Sequence, residues 1–222
     1  MTLPISSRLL ACCAFIRPGE RVADIGCDHG YLGIHLLQEG MASHIYAADV
    51  REGPLSSAKR NAQTYGVNKH MDFFLSDGVA QLPRDFDTLV CAGMGADTMV
   101  SILSAAPWLQ NRNYRLILQC QSKTPSLRRY LSESGWQIGQ ETVLRDGRFL
   151  YTVMEVLWQP DGPKLTVGQW YFPPALLKNP TPETAEYFRW VVDGLQIAAQ
   201  HRPDEENLCA LKELECLQEE LQ

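Results

Sequence analysis

The sequence predicts an open α/β sheet, mostly parallel, with a helical hairpin at its C-terminal end. Three observations carry this. Five runs of strand character, near 21–25, 43–50, 71–75, 86–92 and 115–120, alternate with segments of helical character, the rhythm that builds parallel sheets. Two more runs, Ile138 to Leu144 and Phe149 to Trp158, are separated only by Arg145-Asp146-Gly147-Arg148. An Asp-Gly between strand-like runs signals a hairpin, which puts an antiparallel member at one edge of a seven-stranded sheet. From Glu183 onward strand character gives way to two stretches of helical spacing.

At 222 residues, 45% apolar and 21% charged, the chain suits one full domain plus an appendage. No apolar run follows a basic start, and none approaches the ~20 residues that span a bilayer, so a protein resident in the cytosol is expected. Seven cysteines form no Cys-x-x-Cys pair and keep no zinc-like spacing with the five histidines. They read as reduced thiols, and no metal is expected. Net charge is −6, but residues 1–180 hold 17 Lys/Arg against 16 Asp/Glu and residues 181–222 hold 3 against 10. The acidity belongs to the tail. Arginine clusters in the body (Arg8, Arg17 and Arg21; Arg112 and Arg115; Lys123, Arg128 and Arg129; Arg145 and Arg148) suit either a phosphate-contacting face or ordinary solvated charge.

In order along the chain, Ile5 to Ile16 has helical spacing, with Ser6 or Ser7 as cap and Pro18-Gly19 as stop. The first strand runs into Asp24-Ile25-Gly26-Cys27-Asp28-His29-Gly30, and a helix from Tyr31 to Glu39 follows. The second strand ends on Asp49-Val50, before a helix from Gly53 to Tyr65. The third ends in Ser76-Asp77-Gly78 and the fourth, whose run Leu89 to Ala92 is apolar enough for burial on both faces, in Gly93-Met94-Gly95. Helices are expected at about 96–106 and 126–134. The segment from Pro160 to Pro182, rich in proline and glycine, reads as an irregular connector. Helices Glu183 to Gln200 and Asp204 to Leu221 bend at His201-Arg202-Pro203; Leu208, Leu211, Leu214, Leu217 and Leu221 step as a coiled-coil seam does.

Four acid-or-glycine sites thus fall at successive strand ends, the edge where open parallel sheets bind ligands. Asp49 lies 23 residues after Gly26, near the offset of ~20 at which a carboxylate holds ribose hydroxyls. The glycine turn contains an acid, Asp28, which would repel a dinucleotide's pyrophosphate. S-adenosylmethionine presents an amino acid and a sulfonium cation there instead. Asp24 can answer its ammonium, Asp49 its ribose, and Asp77 or the adjoining backbone its adenine.

Those residues, with Gly53-Pro54, Leu116-Ile117-Leu118-Gln119 and Arg145-Asp146-Gly147 through Tyr151, resemble the bacterial TrmK family along essentially the whole chain. The resemblance implies a class I, Rossmann-like methyltransferase fold over 1–160, a connector over 161–182 and a helical hairpin over 183–222. It implies methyl transfer from S-adenosylmethionine to N1 of adenine 22 in tRNA. The cofactor contacts implied are Asp24, Gly26, Cys27, Asp28, Gly30, Tyr31, Asp49, Val50, Asp77, Gly78, Gly93, Met94 and Gly95. Two departures flank the target-base pocket: Ala96 where the family tends to have Gly, and Cys120-Gln121 where it tends to have Pro-Asn.

N1 of neutral adenine can attack a sulfonium methyl directly, so alignment matters more than a base, and the adenine must be splayed out of its stack. Asp28, His29, Tyr31 and Gln119 are the catalytic candidates. Asp28 either accepts the exocyclic N6 amine or caps the following helix; His29 stands at the entrance or caps that helix; Tyr31 walls the base or packs at the helix start. Gln119 either reads the adenine edge or bonds at the strand end. The tail either clamps tRNA through Arg189, Arg202, Lys212, Tyr187 and Trp190 or docks and pairs copies; oligomeric state stays open. Rival readings are a methyltransferase for another RNA base or a small molecule, and a silent RNA-binding scaffold.

Overall fold

The computed structural model describes residues 3–178, 180–201 and 204–220. Strands β1 (Glu20–Ile25), β2 (Ala42–Asp49), β3 (Met71–Leu75), β4 (Thr88–Gly95), β5 (Arg115–Ser122), β6 (Trp136–Asp146) and β7 (Phe149–Trp158) form one sheet in the order β3-β2-β1-β4-β5-β7-β6. The first five are mutually parallel, and β7 runs antiparallel to β5 and β6. Strand order reverses between β1 and β4, and a crevice opens at their carboxyl ends.

Period-2 alternation divides the strands between two cores. Ala23, Ile25, Leu89, Cys91, Leu116 and Leu118 face the side covered by α4 (Ala96–Ser104) and α5 (Thr124–Glu133). Val22, Ile45, Val90, Ile117 and Val153 face α1 (Ser7–Cys13), α2 (Tyr31–Gln38) and α3 (Glu52–Thr64). The Ser6 hydroxyl caps α1 by accepting from the Leu9 amide at 3.4 Å. At Gly33 an added Cβ would stand 2.8 Å from Ile45 Cγ2, so glycine lets α2 lie close on β2.

The connector holds two short helices, α6 (Val167–Tyr171) and α7 (Ala175–Lys178). α6 begins in a capping box in which Thr166 and Gln169 satisfy each other's backbone amides. Beyond it α8 (Thr184–His201) and α9 (Glu205–Glu220) form the hairpin, and Arg202, Pro203 and Leu221 lie outside the described residues. The hairpin docks on the sheet domain: Phe172, Leu176, Tyr187, Phe188, Val191, Leu195, Ala210 and Leu214 form a third core with Val143 of β6. Of the expected seam, Leu214 is buried and Leu208 is exposed.

Several expectations are corrected. Gly93-Met94-Gly95 does not lie beyond a fourth strand that stops at Ala92. It continues β4 with an irregular register, Met94 opposite Cys120 and Gly95 opposite Ser122. Two members of the arginine clusters are interior. Arg128 and Glu141 are fully buried and paired at 2.6 Å, and Arg128 also donates to the Trp170 and Tyr171 carbonyls. Arg115 is buried between Glu20 and Glu155. Neither can meet a phosphate.

Candidate active site

The crevice at the β1–β4 switch is a cleft of about 590 Å³. It is lined from the first loop by Asp24, Gly26, Cys27, Asp28 and Tyr31, and from the next two strand ends by Asp49, Val50, Asp77 and Gly78. Gly93, Met94 and Gln119 close it beneath. The loop turns because Gly26 (φ +72°) and Gly30 (φ +73°) adopt the left-handed conformation natural to glycine, and Asp28 (φ +48°) shares it.

Asp24 is the unusual group. Its carboxylate is buried, and Oδ2 has no hydrogen-bond partner among the described residues. Burial, and next the charge of Asp49, push its pKa from 3.8 up to about 7. An orphaned acid in the wall of a cleft suits a cationic ligand group. Asp49 differs: Oδ1 accepts from the Arg51 amide at 2.9 Å and Oδ2 from the Asp28 amide at 3.3 Å. Two backbone donors therefore hold its orientation at the strand end. The Ser76 hydroxyl donates to the Gly78 carbonyl at 2.9 Å and accepts from the Gln81 amide at 3.1 Å, which shapes the turn that presents Asp77.

Some sequence-predicted residues stand elsewhere or are already engaged. His29, Gly30 and Gly95 do not line the cleft. His29 is exposed, stacked on Tyr31 at 5.6 Å and 3.6 Å from the Asp28 carboxylate. Neither Asp28 nor His29 caps α2; Gly30 is its N-cap, with no side-chain bond. Gln119 is fully buried; its Oε1 accepts from the Gly93 amide at 3.0 Å and its Nε2 donates to the Cys120 carbonyl at 3.2 Å. It bonds at the strand end and fixes the floor of the cleft.

Sequence reasoning missed the α1 wall of Pro4, Ser6, Arg8 and Leu9, and also Arg51, Thr98 and Ile102, whereas Gln121 lines the cleft as its place beside the target-base pocket implied. Arg8 donates to Asp146 at 2.6 Å and lies 5.2 Å over the Tyr151 ring. Its membership of an arginine cluster was the one available signal. Cys12, Cys13 and Cys91 lie close enough for the Asp24 charge to act on them, and burial first, that charge second or third, pushes their thiols up, Cys13 to about 12. Thiolate chemistry is closed to them.

A family model described as "Methyltransferase domain" matches residues 5–154. The chain belongs to that family. The match takes in the sheet as far as the middle of β7 and every residue lining the cleft except Pro4. The chain is 31% identical over 153 residues to the tRNA (adenine(22)-N(1))-methyltransferase of Bacillus subtilis, a match covering 68% of this chain and 64% of that protein. The chain thus spans slightly less than two thirds of that curated relative's length. The crystal structure of the B. subtilis m1A22 tRNA methyltransferase TrmK superposes with a TM-score of 0.78 at 28% identity, over 98% of this chain and 97% of that one. Streptococcus pneumoniae Sp1610, in complex with S-adenosyl-L-methionine, superposes with a TM-score of 0.83 at 29% identity, over 95% and 99%. These two likenesses extend through the connector and hairpin.

Proposed function

We propose that this chain transfers a methyl group from S-adenosylmethionine to N1 of an adenine in tRNA, position 22 being the first to test. The observation that carries the reading is the buried Asp24 carboxylate near the end of β1, its Oδ2 unpartnered among the described residues, with Asp49 and Asp77 at the neighbouring strand ends. Three acids around one cleft suit a cationic nucleoside without phosphates, and the likeness to m1A22 methyltransferases supports the substrate.

Asp24 would receive the ammonium, Asp49 would accept from the ribose hydroxyls, and Asp77 with its turn and Val50 would hold the adenine. Bound there, the cofactor would supply an activated methyl on its sulfonium; as the N1 lone pair forms the new N–C bond in line, the C–S bond breaks and neutral S-adenosylhomocysteine is the leaving group. Met94 and Tyr31 keep water from that line, and the floor that Gln119 ties to Gly93 sets its direction. The product adenine carries the positive charge. Asp28, beside the cleft and 60% exposed at its side chain, accepts from N6 and offsets that charge as it develops.

The test is nucleoside analysis of tRNA incubated with the protein and methyl-labelled S-adenosylmethionine. Label in 1-methyladenosine is expected. Label in another nucleoside would move the substrate assignment, and no label together with no cofactor binding would overturn the enzyme reading.

A further inference from the structure

A second cavity, of about 300 Å³, lies where the hairpin meets the sheet domain. One side is the end of β5 with Gln121 and the β5–α5 turn with Lys123, another is Tyr151 near the start of β7, and α6 and α8 add Tyr171, Tyr187 and Trp190. Gln121 lines this cavity and the active-site cleft alike, so the two adjoin at this residue. Trp190 is 63% exposed although it belongs to the largest apolar side-chain type, and it tilts against Tyr187 at 5.8 Å. Lys123 holds φ +58°, a conformation that a lysine adopts only when its surroundings impose it. Its amine pairs with exposed Asp97 at 2.6 Å, a surface contact weak enough to be exchanged for a phosphate. On the far side, the Arg8 guanidinium covers the Tyr151 ring.

We propose that this cavity receives the base of a nucleotide adjacent to the methylated adenine, held out of the RNA stack while its neighbour occupies the active site. The inference rests on the tRNA reading above. Aromatic faces without a matching hydrogen-bond pattern are how proteins hold single-stranded bases of any sequence. Gln121 supplies an amide edge, and Lys123 and Arg8 supply cations for the phosphate between the two bases. The site explains why an otherwise acidic hairpin stays docked beside the cleft: it contributes aromatic surface rather than charge. It also gives Gln121, at one of the departures from the family pattern, a place between two bases.

The test uses unmodified tRNA transcripts and labelled S-adenosylmethionine, with single abasic sites immediately 5′ or 3′ of the accepting adenine. One abasic position should lower wild-type kcat/KM about tenfold, as loss of one stacked base does. Trp190→Ala should lose a similar factor on intact tRNA and nothing further on that abasic tRNA, and Trp190→Phe should recover most of it. Gly194→Leu provides a filled pocket: Gly194 lines the cavity on α8, and a Cβ there meets nothing within 4 Å. It should match the Trp190→Ala loss with an unlowered melting temperature, since leucine favours helix over glycine. Equal rates on intact and abasic tRNA, or additive losses in Trp190→Ala, would overturn the second pocket and leave tRNA methylation standing. No methylation of any tRNA by the wild-type protein would overturn both.

Discussion

Replacing Asp24 by asparagine should stabilise the ligand-free protein while crippling it. The folded carboxyl has a pKa of about 7 against an ordinary 3.8. At about 1.4 kcal/mol per pH unit, holding the charged form in the fold costs roughly 4 kcal/mol above pH 7. The native state binds this proton more tightly than the unfolded chain does. Its contribution is therefore most favourable at low pH and is lost as pH rises from about 4 to about 7. The Asp24→Asn side chain carries no charge but keeps an unpartnered polar atom, so about 2 kcal/mol of the cost should be recovered at pH 8. For a chain of this size that is a rise in melting temperature of about 4–8 °C, shrinking at pH 5, where wild-type Asp24 is protonated. Calorimetric titration of Asp24→Asn with S-adenosylmethionine should show about 10- to 100-fold weaker binding, the worth of a charged hydrogen bond. A variant less stable than wild type at pH 8, or one binding the cofactor as well, would refute the assignment of Asp24 as a strained cation receptor.

Cofactor affinity itself should follow the same proton: below pH 7 the Asp24 proton must leave before the ammonium binds, so Kd should rise about tenfold per pH unit, and calorimetry of Asp24→Asn should show no such slope. Asp49→Ala removes the acceptor that two backbone amides hold in place; about tenfold weaker cofactor binding, read by calorimetry, is expected with little change in urea midpoint. Glu141→Gln leaves the Arg128 guanidinium buried without its counter-charge and should cost about 3–5 kcal/mol in urea unfolding, with hydrogen exchange rising first at Trp170 and Tyr171, whose carbonyls Arg128 holds.

The strand ends were legible in the sequence because they combine a periodic apolar run with an acid or glycine that ends it. Asp24, Asp49 and Asp77 all fall where that reasoning puts them, and Phe149–Trp158 has the expected bounds. What escaped depends on pairings distant in the chain. Glycines at 93 and 95 look like punctuation, yet β5 pairs with Ala92, Met94 and Gly95 around an irregularity at Gly93 and keeps the segment in the sheet. The helices at 167–171 and 175–178 are too short to show a period and form because Phe172 and Leu176 enter the third core. Arg128 is indistinguishable from its exposed neighbour Arg129 until Glu141 arrives from another element. Gln119 bears the functional group that a base contact needs, but both ends of its amide serve the backbone.

The burial of thiols around the Asp24 wall reaches into how the protein can be handled. Cys12, Cys13, Cys27, Cys91 and Cys120 are buried, whereas Cys209 and Cys216 are exposed on α9. Those two stand seven residues apart, two helical turns along one face. Maleimide at neutral pH should therefore attach twice to the folded chain and seven times once it is unfolded, as intact mass would show. A fluorophore can thus be carried on the hairpin without first replacing native cysteines, leaving the active-site cleft chemically untouched.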